Sequence, residues 1–402
     1  MEILCFGSAD YEEPNWVNAQ HLMSRLAEHH RVLYVNSLGL RVPRANRRDL
    51  RKVWRRLAAP VRGLRRPDPA RELFVYSPLT LPPLRLPLAR HAGSALLAGG
   101  LRRALTRLGF TRPLTWAFLP SAAPVLRRLA LGPVVYHCVD AYEANPGVDP
   151  DLVRMLEDDI LAQAAAVVAV SPPLVERLSR RHPRVVWMPN VAAIEAYPPP
   201  SDKPSEPPQL ADLPRPRLGY LGNLAGYKCD LPLLARAARR RPDWQWVFIG
   251  AVGQGEADTP LGELRRLANV VMLGPQPRER LAAFVHHLDV GLIPARPGAS
   301  TRHAFPMKFF EYWACGRPVV SARLPALQDH LVPPLAFGYD DGESFLAAIG
   351  EALASDAPAH AAERRRRAET HSWERRIPEV EALLETLVRE AHQRSATSVY
   401  SP

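Results

Sequence analysis

A lysine and a glutamate three residues apart, Lys308 and Glu311, stand in a stretch whose pattern brings both to one edge of a parallel sheet. The run Val290-Gly-Leu-Ile-Pro294 reads as a buried strand. Phe309, Phe310, Trp313 and Ala314 then recur at helical spacing, Gly316 sits where a helix C-terminus takes a positive φ, and Pro318-Val-Val-Ser321 resumes as a strand. Ligands of such sheets lie beyond the carboxyl ends of the strands, where loops meet helix N-termini. A helix start offers unpaired N–H groups and partial positive charge to a phosphate, and Lys308 adds a full charge. A carboxylate one turn further on is badly placed to bind phosphate and well placed to accept two sugar hydroxyls. This combination predicts a nucleoside-diphosphate site. The same periodicity would also suit an ordinary βαβ unit with a buried helix.

Taken whole, 300–321 resembles the C-terminal signature of retaining glycosyltransferases of the GT-B architecture, the family 4 or "group 1" type. That signature is a Glu, seven residues and a second Glu, followed by Ala-Cys-Gly-Lys/Arg-Pro-Val-Val. Glu311 matches the second Glu, and Ala314-Cys315-Gly316-Arg317-Pro318-Val319-Val320 matches the tail. His303 stands where the first Glu would be, so the role of that Glu is not carried over to it. Lys308 is a basic variant found in polysaccharide-building branches. The resemblance implies an α/β fold of two Rossmann-like, doubly wound parallel-sheet domains facing a cleft, the donor nucleotide in the second and the acceptor in the first.

The elements that must position such a site begin at Arg217-Leu-Gly-Tyr-Leu-Gly222, a strand followed by the loop Gly222-Asn-Leu-Ala-Gly-Tyr-Lys-Cys-Asp230. Gly222 and Gly226 would let backbone approach a ligand, and Lys228 brings a second cation; in the resembled family a strand–Gly–Lys segment here contacts the donor diphosphate. The expected donor-binding set is Gly222, Asn223, Lys228, Thr301, Arg302, His303, Phe305, Lys308 and Glu311. Helices over 230–241 and 277–287 alternate with strands at 244–250 and 270–274, which demands a parallel sheet covered on both faces. Gly250 to Gly255 looks like a dinucleotide fingerprint but lacks its spacing and opens no helix, so a flexible loop is expected. The run Arg364–Arg367 reads as a solvated face. His371-Ser-Trp-Glu-Arg-Arg resembles the family's closing segment, implying a last helix (374–394) that crosses back to the first domain, with 395–402 disordered.

The first domain, taken as 1–197, opens with a strand over 3–8, a helix over 17–29 and a strand over 31–36. The loop between strand and helix carries Asn15, Trp16 and Asn18, either a sugar-facing surface or a plain loop. Leu84 to Leu108 reads as helix broken at Gly99-Gly100. Pro133-Val-Val-Tyr-His-Cys-Val-Asp-Ala-Tyr142 is a buried strand delivering His137 and Asp140. In the resembled family a His or Asp here borders the reacting sugar; Asp140 could equally cap the next helix. Asn190, from a Pro-Asn pair resembling the family's Pro-Asn-Gly with Val191 for Gly, is assigned to the cleft. Between Pro198 and Pro216 eight of nineteen residues are proline, which predicts a semi-rigid linker over 198–216 and a second domain over 217–373.

Composition narrows the classes. A chain of 402 residues with 47% hydrophobic content supports two or three cores. Four dispersed cysteines without metal spacing read as buried thiols of a reducing compartment. The N-terminus lacks the features of a signal peptide, and no run is long enough to span a membrane. Of the net charge of +11, most lies between Arg41 and Arg66, where eleven Lys/Arg face one acidic residue. A helix over 46–59 is expected there, with Leu50, Val53, Trp54 and Leu57 as the apolar stripe and Arg47, Arg48, Arg51, Lys52, Arg55 and Arg56 around it. That suits an anionic membrane interface, or a stripe packed on the domain under solvated arginines. No nucleic-acid fold accompanies it, so nucleic acid is not an expected partner. A cytoplasmic protein is expected, peripheral on the inner membrane face if the basic helix binds there.

The chemistry expected is transfer of a glycosyl group, a hexosyl type among them, from a nucleotide sugar to a glycan or lipid-linked acceptor in envelope or extracellular polysaccharide synthesis, with retention and without a metal or other cofactor. Lys228, Lys308 and the N–H groups of 301–305 would stabilise charge on the leaving phosphate, and Glu311 would hold the ribose. Asp140 or His137 would steady the sugar or orient the acceptor hydroxyl. No carboxylate pair has the spacing of a double-displacement hydrolase. The alternatives are a GT-B sugar-nucleotide epimerase and a non-catalytic, membrane-attached relic of the fold.

Overall fold

Strands rich in Val, Leu, Ile and aromatics, with no polar alternation, need cover on both faces, and this chain builds two such sheets. The computed structural model describes residues 1–13, 16–40, 63–78, 87–253, 256 and 259–399, with side chains to 394. Asn15 and the basic segment with Arg47, Arg48, Arg51, Lys52, Trp54 and Arg55 lie outside the described residues. The chain divides into one unit of Met1–Val170, Leu174–Met188 and Ile377 onward, and a second of Ser171–Pro173 and Pro189–Arg376.

The first unit holds β1 (Glu2–Phe6), β2 (Arg31–Val35), β3 (Leu64–Arg65), β4 (Leu73–Tyr76), β5 (Leu114–Ala117), β6 (Val134–Cys138), β7 (Ala166–Ala169) and β8 (Val185–Trp187), ordered β3-β4-β2-β1-β5-β6-β7-β8. All neighbours are parallel except the short edge pair β3–β4; the pattern Leu73-Phe-Val-Tyr76 reads as a strand, while β3 carries no such pattern. The helix over Pro87–Leu108 runs unbroken through Gly99-Gly100. Gly100 is there for contact: a Cβ on it would lie 2.3 Å from the Tyr76 hydroxyl oxygen.

The second unit holds β9 (Arg217–Leu221), β10 (Gln245–Ile249), β11 (Val270–Gly274), β12 (Val290–Ile293), β13 (Val319–Ala322) and β14 (Ala336–Tyr339), all parallel, ordered β11-β10-β9-β12-β13-β14. The order reverses between β9 and β12, the switch point where doubly wound sheets hold ligands. Pairing there stops after Gly219 and Gly291. Tyr312, from the helix Lys308–Ala314, fills the gap: its hydroxyl accepts from the Leu221 amide (2.9 Å) and donates to the Gly219 carbonyl (3.1 Å). The ring passes over Gly291, where a Cβ would sit 2.4 Å from Tyr312 Cγ.

Three expectations are corrected. Residues 198–216 are packed into the second unit, whose boundary falls earlier, at Met188/Pro189. His286 and His287 bond the carbonyls of Pro198 (2.9 Å) and Pro204 (3.0 Å), and Leu210 is buried, which holds the stretch against the second unit. The last helix spans Trp373–Val399, so residues 395–399 of the tail expected to be disordered continue it, because extending a formed helix costs little; 400–402 lie outside the described residues. Within the 364–367 run only Arg366 and Arg367 take the solvated role, pairing with Glu363. Arg364 is fully buried; its guanidinium bonds the carbonyls of Leu335, Gly316 and Pro334 and the Asp356 carboxylate (2.7 Å).

Arg364→Leu therefore strands a carboxylate and three carbonyls, two of them buried. It is expected to cost about 3 kcal/mol and to lower the melting temperature of that unit by roughly 6–12 °C. Arg366→Leu should stay within about 0.5 kcal/mol of wild type by calorimetry.

Candidate functional site

The site is built at the switch point, on the loop after β9 and the helix Lys308–Ala314. Gly222 takes φ +124°, a conformation closed to other residues, and turns the chain out of β9. Lys308 reaches over that turn: its ammonium nitrogen lies 2.8 Å from where a Gly222 Cβ would stand and 3.9 Å above the Tyr220 ring. Any side chain at 222 would displace the ammonium. The Tyr220 hydroxyl donates to the Asn223 carbonyl (3.0 Å) and Cys229 Sγ lies 3.1 Å from it, so the loop is tied to the strand that launches it.

Burial pushes the Lys308 ammonium down to about 8, with Cys229 and Glu311 holding it up and Lys228 pushing it further down. Glu311, one turn on, is pushed up by burial, and Lys308, a hydrogen bond from Tyr197 and Arg278 pull it back. Lys308 and Glu311 thus lie within each other's field, and Lys228 acts on the same ammonium. Lys228 itself is exposed, its ammonium 5.3 Å from the Tyr227 ring centre. A cavity of about 500 Å³ borders the same Gly222 turn, lined by Gly222, Ile249, Gly250, Met272 and Gly274 near the carboxyl ends of β9 to β11 and by Arg265 from the turn before β11; Lys228, Lys308 and Glu311 are not among its lining residues. It has the size of a small-ligand pocket.

The remaining donor-side residues divide. Thr301 is buried, its hydroxyl bonded to the Arg296 (2.5 Å) and Gly298 (3.2 Å) carbonyls, so it closes a turn. His303 donates from Nδ1 to the Ala299 carbonyl (2.8 Å) and caps its own short helix, Ala299–Arg302. Arg302 is exposed. Phe305 is core, stacked on Phe310 at 5.9 Å, because the loop needs an apolar anchor under it. Of the amides of 301–305, three are spent on backbone: Arg302 donates to the Gly298 carbonyl, and His303 and Ala304 donate to that of Thr301. Tight turns satisfy these three locally. Gly226 is also engaged, its amide donating to Glu256 (2.7 Å) and its carbonyl accepting from Arg296 (3.0 Å). Asn190 belongs to the second unit and donates to the Phe305 carbonyl (2.7 Å), bracing this loop.

In the first unit, His137 is buried on β6, taking a bond from Trp116 Nε1 (3.2 Å) and lying 4.8 Å from the Phe118 ring. Asp140 is half-buried just past β6, one carboxylate oxygen accepting from the Ala141 amide (3.0 Å). Trp16 packs beside Tyr11 (5.5 Å) and His21 (5.4 Å), and Asn18 is buried in the first turn of Asn18–Leu26. The tertiary structure adds Tyr197, Tyr220, Arg278, Glu256 and Tyr312, none of which carries a motif; only the tyrosines' place beside glycines and strand ends could have flagged them.

With this geometry in view, comparison with known proteins is informative. Residues 215–355 match the family model described as Glycosyl transferases group 1. The second unit therefore carries a glycosyl transferases group 1 domain. That span contains Lys228, Lys308, Glu311 and the cavity. A Bacillus subtilis (strain 168) protein, provisionally assigned as the teichuronic acid biosynthesis glycosyltransferase TuaH, is 30% identical over 160 residues, 39% of this chain and 40% of its own length. The matched region is thus well under half of either protein. Among solved structures, sucrose-phosphate synthase from Thermosynechococcus elongatus superposes with TM-score 0.73 at 16% identity, over 97% of this chain and 99% of that one. Anabaena Alr3699/HepE in complex with UDP follows at 0.65 and 15%, over 96% and 99%. A trehalose 6-phosphate synthase from Burkholderia multivorans gives 0.62 at 16%, over 99% of both chains. At such identities the likeness concerns the fold: two parallel-sheet α/β domains of the GT-B kind.

The Lys308 ammonium sets a pH test. Its folded value near 8 lies below the ordinary 10.5, so the free protein gains stability as pH rises between the two, where the unfolded chain holds the proton. Anion binding needs the charged form. Affinity for the best binder among UDP, GDP, TDP and ADP should fall about tenfold from pH 7 to 9, with proton uptake on binding seen by calorimetry in buffers of different ionisation enthalpy. Lys308→Arg should flatten the profile; a flat wild-type profile would remove Lys308 from the anion site.

Proposed function

We propose that the protein transfers a sugar from a nucleotide donor to an envelope glycan or lipid-linked acceptor, with retention at the anomeric carbon and without a metal. The observation that carries this reading is the convergence of Lys308, Glu311 and the Gly222 turn at the switch point of the second sheet, with a cavity of about 500 Å³ bordering the same turn. As the sugar–phosphate bond breaks, negative charge gathers on the leaving phosphate. Lys308, already desolvated and fixed over Tyr220, stabilises that charge without reorganising. Lys228, exposed on the loop after β9, adds its charge to the same phosphate.

Glu311 accepts the ribose hydroxyls, and Tyr197 holds its carboxylate in place. In the first unit Asp140 takes the polar role toward the sugar or acceptor, while the buried His137 sets the end of β6. A uridine donor is favoured by the HepE structures that carry UDP or UDP-glucose. A cell-envelope acceptor is favoured by the name of the Bacillus relative.

Lys308→Ala is expected to lower kcat by about 10²–10³-fold and Glu311→Ala to raise the donor KM, with circular dichroism confirming that both variants keep the fold. Mass spectrometry of a reaction with a UDP-sugar should detect free UDP together with a glycosylated product whose anomeric configuration matches the donor by NMR. An epimerised donor with no free UDP would instead make the protein an epimerase, and turnover surviving both substitutions would remove the site from the chemistry.

A further inference from the structure

The helix Pro87–Leu108 of the first unit has two faces of different character, and only one is used by the fold. Its inner stripe, Ser94, Leu97, Ala98, Leu101, Ala104 and Leu105, is buried at helical spacing. Arg128 clamps it from below, bonding Ser94 Oγ (3.0 Å) and the His91 ring (2.8 Å). The outer face shows Leu88, 86% exposed, and Leu96, 64% exposed, with exposed Ala92 and Ala95 between them. Its second half shows Arg102, Arg103 and Arg107, all exposed. Among the described residues none of these three forms an ion pair with a carboxylate, and the helix itself contains no acidic residue. The bias reaches beyond the helix, since no Asp or Glu occurs from Leu73 to Val139.

An isolated exposed leucine is ordinary. Two leucines within 80° on one helix face, joined by small residues and followed by arginines whose guanidinium contact is with a backbone carbonyl (Arg102 with Arg128) and not a carboxylate, form a surface with an apolar end and a cationic end. We propose that this face lies on an anionic lipid bilayer, Leu88 and Leu96 entering the headgroup boundary and Arg102, Arg103 and Arg107 pairing with lipid phosphates. Charge complementarity selects this occupant. A second copy meeting the same face about a two-fold axis would bring these like charges into one interface, and a nucleic acid would leave the leucines in water. The helix lies on the bilayer and does not cross it: among the described residues no helix is long and apolar enough to span one. The surface is separate from the Arg47–Arg55 segment, and the inference does not depend on the transfer reaction.

All four cysteines are buried, so Ala92→Cys provides a single accessible thiol for an environment-sensitive fluorophore. Its emission should shift to the blue with phosphatidylcholine vesicles containing 30 mol% phosphatidylglycerol, and not with phosphatidylcholine alone. Flotation of the full chain should show binding to the anionic vesicles that weakens as salt rises. Leu88→Asn with Leu96→Asn, which leaves the charge unchanged, should lower the partition coefficient roughly tenfold. Arg102→Gln with Arg103→Gln should lower it similarly, with melting temperatures confirming both folds. Binding unaffected by both pairs, an unshifted fluorophore at position 92, equal binding to neutral vesicles, or a dimer by ultracentrifugation that either pair dissolves would each overturn the proposal.

Discussion

One tyrosine hydroxyl holds the second unit's site together. Doubly wound sheets split at the switch point, and the split exposes backbone groups that a buried region cannot leave unpaired. Here Tyr312 bridges the split, bonding the Leu221 amide and the Gly219 carbonyl. Because Tyr312 lies on the same two turns of helix as Lys308 and Glu311, that bridge also fixes where the ammonium and the carboxylate point. Gly291 admits the ring and Gly222 admits the lysine. The glycines at this edge are therefore spaces shaped for particular side chains, in addition to being flexible joints.

The site charges are held in mutual tension. Burial drives Lys308 toward its neutral form and Glu311 toward its protonated form, and each partly offsets the cost of the other. Lys228 adds a like charge that pushes the same ammonium further toward its neutral form. A group placed so that ligand, and not solvent, completes its electrostatics is preorganised for that ligand. Such a site needs a rigid frame, and arginine–carbonyl bonds supply it: Arg365 joins the carbonyls of Tyr197 and Ala314, and Arg364 joins those of Gly316 and Leu335. These arginines tie the segment bearing Tyr197 to the end of the helix bearing Glu311. An arginine fork is suited to this because it donates in several directions and remains charged when buried.

The first unit follows the same winding with different contents. Its carboxyl-edge residues are more deeply embedded: His137 is enclosed by Trp116 and Phe118, and only Asp140 keeps part of its surface open. Behind β6, Glu157 is buried with Arg177 and Arg181 around it and the Tyr136 hydroxyl bonded to it. That network makes the strand's end rigid while leaving its polar tip accessible.

By itself the sequence determined the alternation of strands and helices, the pairing of Lys308 with Glu311, and the glycines at the strand ends. Periodicity and turn chemistry are local properties of the chain, so β12, the helix after it and β13 were legible in 290–321. It also carried the domain signature, since Glu311 and Ala314–Val320 lie in one continuous string. Tertiary structure alone decided which amides the loop keeps for itself: those of Arg302, His303 and Ala304 are bonded within the turns at 298–304. It decided that Phe305 is core, that Arg364 is buried among carbonyls, and that the proline-rich stretch is stapled to the second unit by His286 and His287. The contacts from Tyr312 and Tyr197 to the site join residues 91 to 114 positions apart. Pairings over such distances are fixed by three-dimensional packing, and no local pattern in the chain encodes them.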